Sequence, residues 1–258
     1  MNPMKNALLA LGLTLSMALT LSAGSALAEG VKLPERDWSF NGMFGTFDRG
    51  SQQRGFQVYK EVCASCHSLR LLAYRNLAGI GMSADQIKAV AAEFEVTDGP
   101  NAEGAMYTRP ARPSDRFAAP FANDNAARTA NNGALPPDLS LMAKARKGGA
   151  DYLHALLTGY KEAPPEGVTL SEGMQYNTYF AGNQIAMAAP FADSAVEYAD
   201  GTKATKDQIA TDISTFLAWA AEPELEERKR LGIKVLLFLI VLTAMLYAVK
   251  RQVWKDLH

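Results

Sequence analysis

Residues 63–67 read Cys-Ala-Ser-Cys-His, and Cys63 and Cys66 are the only cysteines in the 258-residue chain. Two thiols at this spacing lie on one helical turn, with an imidazole directly behind them. Haem carries two vinyl groups on neighbouring pyrroles, so each thiol can close one thioether while His67 offers a ring nitrogen to the iron. A chain tethered in this way has to build its core around a porphyrin. A disulfide, a redox dithiol and half of a zinc site use the same residue types. Zinc would need a second pair of ligands, and only His154 and His258 remain outside the motif. The motif occurs once, so one haem and one-electron steps are expected.

The sixth iron ligand separates an electron carrier from an open-site haem enzyme. Met82, Met106, Met142, Met174, Met187 and His154 all lie downstream of the motif. Methionine ligation raises the potential, which suits a carrier, although most methionines only fill cores. Met187 stands out by its context, Gly182-Asn183-Gln184-Ile185-Ala186-Met187-Ala188-Ala189-Pro190. Its small neighbours permit close approach to a flat ring, and Pro190 fixes the exit of the loop. His154 falls in the periodic stretch Tyr152-Leu153-His154-Ala155-Leu156-Leu157 and reads as a helix-face residue.

Two apolar segments bracket the chain. Lys5, the run Ala7 to Leu21 and Ala26-Leu27-Ala28 form a secretory signal pattern, with cleavage expected after Ala28. Few arginines accompany it, so the pattern points to bacterial export rather than to a mitochondrial presequence. The second segment, Leu231 to Val249, would rise about 28 Å as a helix, close to the roughly 30 Å hydrocarbon thickness. Lys234 can snorkel, while Tyr247, Trp254, Lys250, Arg251 and Lys255 provide interfacial anchors. Four segments follow: a signal peptide over 1–28, a haem-binding domain over 29–227, a transmembrane anchor over 228–251 and a tail over 252–258. Export of the domain places it on the periplasmic side of a bacterial inner membrane, on a single-pass anchor.

The overall charge of −1 hides an asymmetry. Residues 29–227 hold 26 acidic against 18 basic side chains, whereas residues 228–258 hold seven basic side chains and only Asp256 as an acid. An acidic domain ahead of a basic anchor suits a basic protein partner and a lipid bilayer. It carries no nucleic-acid footprint, which would need a basic face on the folded part.

Helical spacing of Phe56, Tyr59 and Cys63 leads into the motif, and Ile209, Ile213, Phe216, Leu217 and Ala220 form an apolar stripe on a second helix ending at Glu222-Pro223. Residues 95–135 are rich in Pro, Gly, Asn and Asp and read as long loops. The expected fold is mainly α: a loop-rich c-type cytochrome domain followed by one C-terminal transmembrane helix.

RGFQVYKEVCASCHSLRLLAYRNL, ANNGALPPDLSLMAKARKGG, DYLHALLTGY, NTYFAGNQIAMAAPF and TFLAWAAEPELEERKRLGIKVLLF together resemble the cytochrome c1 family. These are the haem subunits of quinol–cytochrome c oxidoreductases, the bc1 complexes. The resemblance runs from about Trp38 to Trp254. It implies that the methionine of IAMAAP, Met187, is the sixth ligand and that Arg146 pairs with a haem propionate. It also implies that Tyr152 lies near the same haem edge, and that Asn131 and the run Ala134-Leu135-Pro136-Pro137 line the pocket. The implied role is electron transfer from a Rieske iron–sulfur protein to a soluble or tethered cytochrome c, beside cytochrome b, with no catalysis by the chain alone. Glu93, Glu95, Asp98 and Glu103, or Glu162, Glu166 and Glu172, are candidate docking carboxylates. Some bacterial members carry an extra disulfide, for which this chain has no cysteines left. A stand-alone membrane-tethered shuttle and a haem peroxidase are the alternative functions.

Overall fold

A computed structural model describes residues 31–255; the signal peptide expected over 1–28 lies outside these described residues. Helix α1, Arg49–Glu61, starts where Asp48 accepts a hydrogen bond from the Ser51 amide at 2.7 Å. Helix α6, Lys206–Ala221, starts in the same way from Thr205, whose hydroxyl accepts from the Gln208 amide at 3.2 Å. Both helices bury one face against the other. Phe56 and Tyr59 of α1 meet Phe216 of α6 at ring-centroid distances of 5.7 and 6.0 Å, and Phe117 completes the cluster. All five stripe residues of α6 are buried.

The crossing depends on a glycine. A Cβ at Gly55 would lie 2.1 Å from the Asp212 carbonyl oxygen and 2.7 Å from the Phe216 Cβ. Beside this contact Asp212 is wholly buried. Its carboxylate accepts from Ser51 Oγ at 2.7 Å, from Arg54 Nε and Nη2 at 2.9 and 3.0 Å, and from Gln208 Nε2 at 3.0 Å. A buried charge is tolerable only when it is paired and hydrogen-bonded in this manner.

Between the two long helices lie shorter pieces: a 3-10 helix at Tyr74–Ile80, then α2 (Ala84–Ala92), α3 (Asp124–Ala130), α4 (Met142–Ala145) and α5 (Gly149–Thr158). Residues 95–135 are not loop throughout. Strands β1 (Glu95–Asp98) and β2 (Tyr107–Pro110) pair antiparallel with Glu95 opposite Pro110, and Arg109 bridges Asp98 and Asp115. The four-residue strands are too short to stand out among turn residues, and cross-strand pairing holds them. Helix α3 was hidden for a similar reason: its start is Asn123, which reads as a loop residue but caps the helix by accepting from the Ala126 amide at 2.9 Å. A second small hairpin, β3 (Gln175–Tyr176) with β4 (Gln184–Ile185), precedes Met187.

Helix α6 ends at Glu222-Pro223, and α7 runs from Leu225 to Val253. The anchor helix thus begins ahead of the expected residue 228. Glu226 and Glu227 in its first turn favour that earlier start, because carboxylates stabilise the positive end of the helix dipole. Its apolar window has a mean hydropathy of 2.4 and none of it is buried. The chain is therefore mainly helical and loop-rich, with one long apolar helix at the C-terminal end that fits a membrane span.

Candidate functional site

Helix α1 gives way at Val62 to a 3-10 turn, Cys63–Ser65, and the turn is closed by amides of Cys66 and His67 donating to the Cys63 carbonyl at 3.1 and 2.9 Å. Cys63, Cys66 and His67 are thereby held on one tight turn, as the spacing requires. Both cysteines are free thiols, each half-buried. Burial, reinforced by the neighbouring Cys66, pushes the Cys63 thiol up to about 12. A redox dithiol works by the opposite shift, towards thiolate at neutral pH. Among the described residues no cluster of three or more His, Cys, Asp or Glu side chains could hold a metal ion.

His67 Nδ1 lies 2.8 Å from the carbonyl oxygen of Pro137. A carbonyl can only accept, so Nδ1 carries the proton and Nε2 keeps its lone pair. Burial lowers the His67 pKa, with the Pro137 carbonyl and Asp138 pulling the other way. The ring is therefore neutral at neutral pH, oriented from one side and basic on the other. Tyr59 Oη, from one turn earlier in α1, donates to the His67 carbonyl at 3.1 Å.

The Pro137 carbonyl is itself held in place by Asp138. That carboxylate accepts from Ser68 Oγ at 2.8 Å and the Arg70 amide at 2.9 Å through Oδ2, and from the Ser140 amide at 2.9 Å through Oδ1. The Leu139 amide donates to the Ser68 carbonyl at 2.8 Å, and Ser140 Oγ accepts from the Leu71 amide at 3.1 Å. Residues 137–140 are thus stitched along 67–71. Burial pushes the Asp138 carboxyl up, but these hydrogen bonds outweigh it and hold the group below the usual carboxylate range. Sequence reasoning missed Asp138. Its signal was local: an Asp two residues before a Ser, directly after two prolines, is an Asx-turn pattern.

Pro136 is half-buried beside this seam. Asn131 ends α3, its Nδ2 donating to the Ala127 carbonyl at 2.7 Å while its own carbonyl accepts from the Ala134 amide at 2.9 Å. Its side chain therefore fixes the loop into Pro136 through the backbone. Met187 is half-buried, and its carbonyl accepts from Tyr160 Oη at 3.0 Å. Upstream, Asn177 is wholly buried: Nδ2 donates to the Leu156 carbonyl at 2.7 Å and Oδ1 accepts from the Tyr179 and Phe180 amides at 3.0 and 3.2 Å. The methionine loop is thereby clamped to the end of α5. Tyr160, not singled out from sequence, adds a second tie through the Met187 carbonyl. Tyr152 is half-buried on α5, and its proximity raises the Tyr160 pKa after burial itself.

Arg146 is exposed, and its guanidinium meets only the Ala145 carbonyl at 3.3 Å among the described residues. His154 lies on the buried face of α5, its Nε2 3.0 Å from Asp207 Oδ1, as its helical context indicated. Met142 is in the core, Met106 is exposed, and Met82 and Met174 are half-buried. A cleft of about 370 Å³ lies elsewhere, between Trp38, Phe40, Ala143 and Lys229 at the foot of the domain; none of Cys63, Cys66, His67 and Met187 lines it.

Residues 38–257 match the sequence profile described as the Cytochrome C1 family. The chain belongs to the cytochrome c1 family. It is 49% identical over 98% of its length to the cytochrome c1 of Rhodospirillum rubrum, of which 97% is covered. It is 50% identical over 92% of its length to the "cytochrome b-c1 complex catalytic subunit, mitochondrial" of Candida albicans, of which 82% is covered. It is also 46% identical over its whole length to part of "cytochrome b/c1" of Bradyrhizobium diazoefficiens, covering 42% of that longer protein. Cytochrome c1 proteins are haem-containing electron carriers. The donor set fits such a group: two thiols and a neutral imidazole with its Nε2 lone pair free, on one turn.

Proposed function

We propose that the chain is a membrane-anchored, single-haem electron carrier that passes electrons from a Rieske iron–sulfur protein to a cytochrome c within a quinol–cytochrome c oxidoreductase. The observation that carries this reading is the His67–Pro137 hydrogen bond, which leaves the Nε2 lone pair available to a metal next to two half-buried free thiols. When bound, the haem supplies a one-electron ferric–ferrous couple. Cys63 and Cys66 would hold it covalently, and His67 and Met187 would bind its iron. The Tyr160 bond to the Met187 carbonyl supports a preset methionine loop. Arg146, exposed and without a carboxylate partner among the described residues, is assigned to a haem propionate. Tyr152 and Pro136 border the pocket, and Asn131 shapes it through the loop it fixes.

The names of the Bradyrhizobium and Candida relatives support cytochrome b as the membrane partner. Only residues 222–224 separate α6 from α7, too few for a flexible tether, which favours a fixed subunit over a free shuttle. Export through the signal pattern places the domain on the periplasmic side of a bacterial inner membrane. For the acceptor, Glu162, Glu166 and Glu172 are the better docking candidates. All three are exposed on the loop that meets the methionine hairpin, where Gln184 Oε1 accepts from the Ser171 amide at 2.9 Å. Glu93 and Asp98 are already paired, with Lys60 and Arg109. The charge of Glu162, Glu166 and Glu172 would steer a basic cytochrome c in a salt-dependent manner.

The test is the haem linkage and the company it keeps. In the parent, the pyridine haemochrome spectrum is expected to report two saturated vinyls, and Cys66→Ser to leave one or to lose the haem. Purification in mild detergent is expected to bring down cytochrome b and a Rieske protein with quinol oxidation. A haem protein emerging alone, with quinol oxidation left behind in the membrane fraction, overturns the proposal.

A further inference from the structure

Ahead of α1, residues 39–46 form a tight loop closed by the Asn41 amide donating to the Trp38 carbonyl at 2.9 Å and the Thr46 amide donating to the Ser39 carbonyl at 3.0 Å. Its neck is rigid: a Cβ at Gly45 would sit 1.9 Å from the Asn41 carbonyl oxygen, so only glycine fits there. Its tip presents Met43 and Phe44, 59% and 78% exposed. Phe44 is more exposed than any apolar residue of the α7 span, although it belongs to the folded domain. Large apolar side chains held out by a rigid frame point to a contact outside the chain.

The frame shows which contact. The loop is bolted to the first two turns of α7. Glu226 accepts from the Phe47 amide at 2.9 Å and from Arg49 Nη2 at 2.8 Å, and Lys229 Nζ donates to the Phe40 and Gly45 carbonyls at 2.6 and 3.1 Å. Phe47 is therefore within side-chain reach of Glu226, and Gly45 of Lys229 one turn further along α7. Followed from 47 towards its tip, the loop advances along α7 in the direction of the apolar segment. That segment begins at Leu231, itself 58% exposed. From Glu226 to Leu231 the helix rises about 7.5 Å. The polar headgroup zone is about 5–8 Å deep on each face of a bilayer. The neck is thus tied to the part of α7 that crosses this zone, and the tip lies one to two residues beyond Gly45.

We infer that the loop Asn41–Gly45 inserts Met43 and Phe44 into the headgroup–acyl boundary of the bilayer, as a second membrane contact beside α7. The occupant is lipid, because the loop that carries these side chains is hydrogen-bonded to the turns of α7 directly ahead of the apolar segment, and the exposed Arg230 adds positive charge suited to anionic headgroups. A single spanning helix can still tilt in the bilayer and carry the domain with it. Two contacts at the same level fix its tilt, and with it the height of the Cys63–His67 turn above the membrane. The inference rests on α7 spanning the bilayer.

The full-length, haem-loaded protein, purified with whatever subunits accompany it and reconstituted in nanodiscs of phosphatidylcholine and phosphatidylglycerol, tests it. A nitroxide is attached at Met43→Cys, Phe44→Cys, Ile240→Cys or Val168→Cys, with parent protein as the labelling background. Collisional relaxation by oxygen and by a water-soluble nickel chelate then reports depth. Ile240→Cys is expected to read as deep lipid and Val168→Cys as water. The oxygen-to-nickel ratio at positions 43 and 44 is expected to lie several-fold above that at 168 and below that at 240. Ready access of the nickel chelate at 43 and 44, with 240 still in lipid, overturns the inference. Access of neither reagent shows a protein cover and overturns it equally. If position 240 itself reads as water, the spanning reading fails and takes the loop with it.

Discussion

Replacing Asp138 tests whether the imidazole of His67 is oriented from seventy residues away. The Asp138→Asn substitution keeps the shape but provides only one acceptor oxygen. Placed to serve Ser68 Oγ and the Arg70 amide, that oxygen leaves the new NH2 facing the Ser140 amide, donor against donor, where Oδ1 now accepts at 2.9 Å. The change thus loses one hydrogen bond to a charged group and weakens two more. Bonds of that kind are worth about 1.5–3 kcal/mol each and are not additive, so a total of about 2–3 kcal/mol is expected. The loss falls on the seam between 67–71 and 137–140, so it is local as well as global. Guanidinium unfolding of the haem-loaded protein in detergent reads the global part; imidazole binding to the ferric protein, which requires the pocket to open, reads the local part. The pH dependence gives a second signature. Because the folded pKa lies below the ordinary value of 3.8, the stabilisation is complete above 3.8 and is lost as the pH falls through the lower folded value. Asp138→Asn is expected to remove that acid limb while leaving stability above pH 6 flat. A variant within about 0.5 kcal/mol of the parent, with the acid limb and imidazole affinity unchanged, would refute the reasoning.

Met187→Leu is expected to keep the haem attached, to lower its potential and to bind cyanide at least about tenfold more tightly, a difference of about 1.4 kcal/mol; an unchanged optical spectrum would assign the ligand elsewhere. Gly55→Ala forces a methyl into the Asp212 carbonyl, and overpacking of about 1–3 kcal/mol or more is expected in thermal unfolding, because helix backbone cannot step aside. Asp212→Ala leaves Arg54 facing a buried gap and is expected to cost about 3–5 kcal/mol, whereas pairing it with Arg54→Met restores part of that loss; equal losses in the single and double variants would show that the ion pair is not the cause.

Local chemistry is what made so much of this chain readable. The Cys63-Ala64-Ser65-Cys66-His67 spacing answers to the dimensions of a porphyrin, the stretch from Leu231 to Val249 answers to the thickness of a bilayer, and the stripe on α6 answers to the period of a helix. Each is set by neighbours within a few turns, so each shows in the linear order. Elements held by weaker local signals did not show. The β1–β2 hairpin and α3 lie in a Gly- and Asn-rich stretch, where a polar cap and a loop residue look the same until the chain folds.

Tertiary structure alone decided what surrounds the motif. The tautomer of His67 depends on the Pro137 carbonyl, and the position of that carbonyl depends on an Asp138 carboxylate shared with Ser68, Arg70 and Ser140. The setting of Met187 depends on a tyrosine at the end of α5, and the anchoring of the 39–46 loop depends on a lysine in α7. Apart from the local Asp138–Ser140 bond, these partners lie from 27 to 184 positions apart along the chain. Hydrogen bonds at such separations leave no periodicity in a sequence, because closing the intervening loops, not the identity of the residues, determines which groups meet.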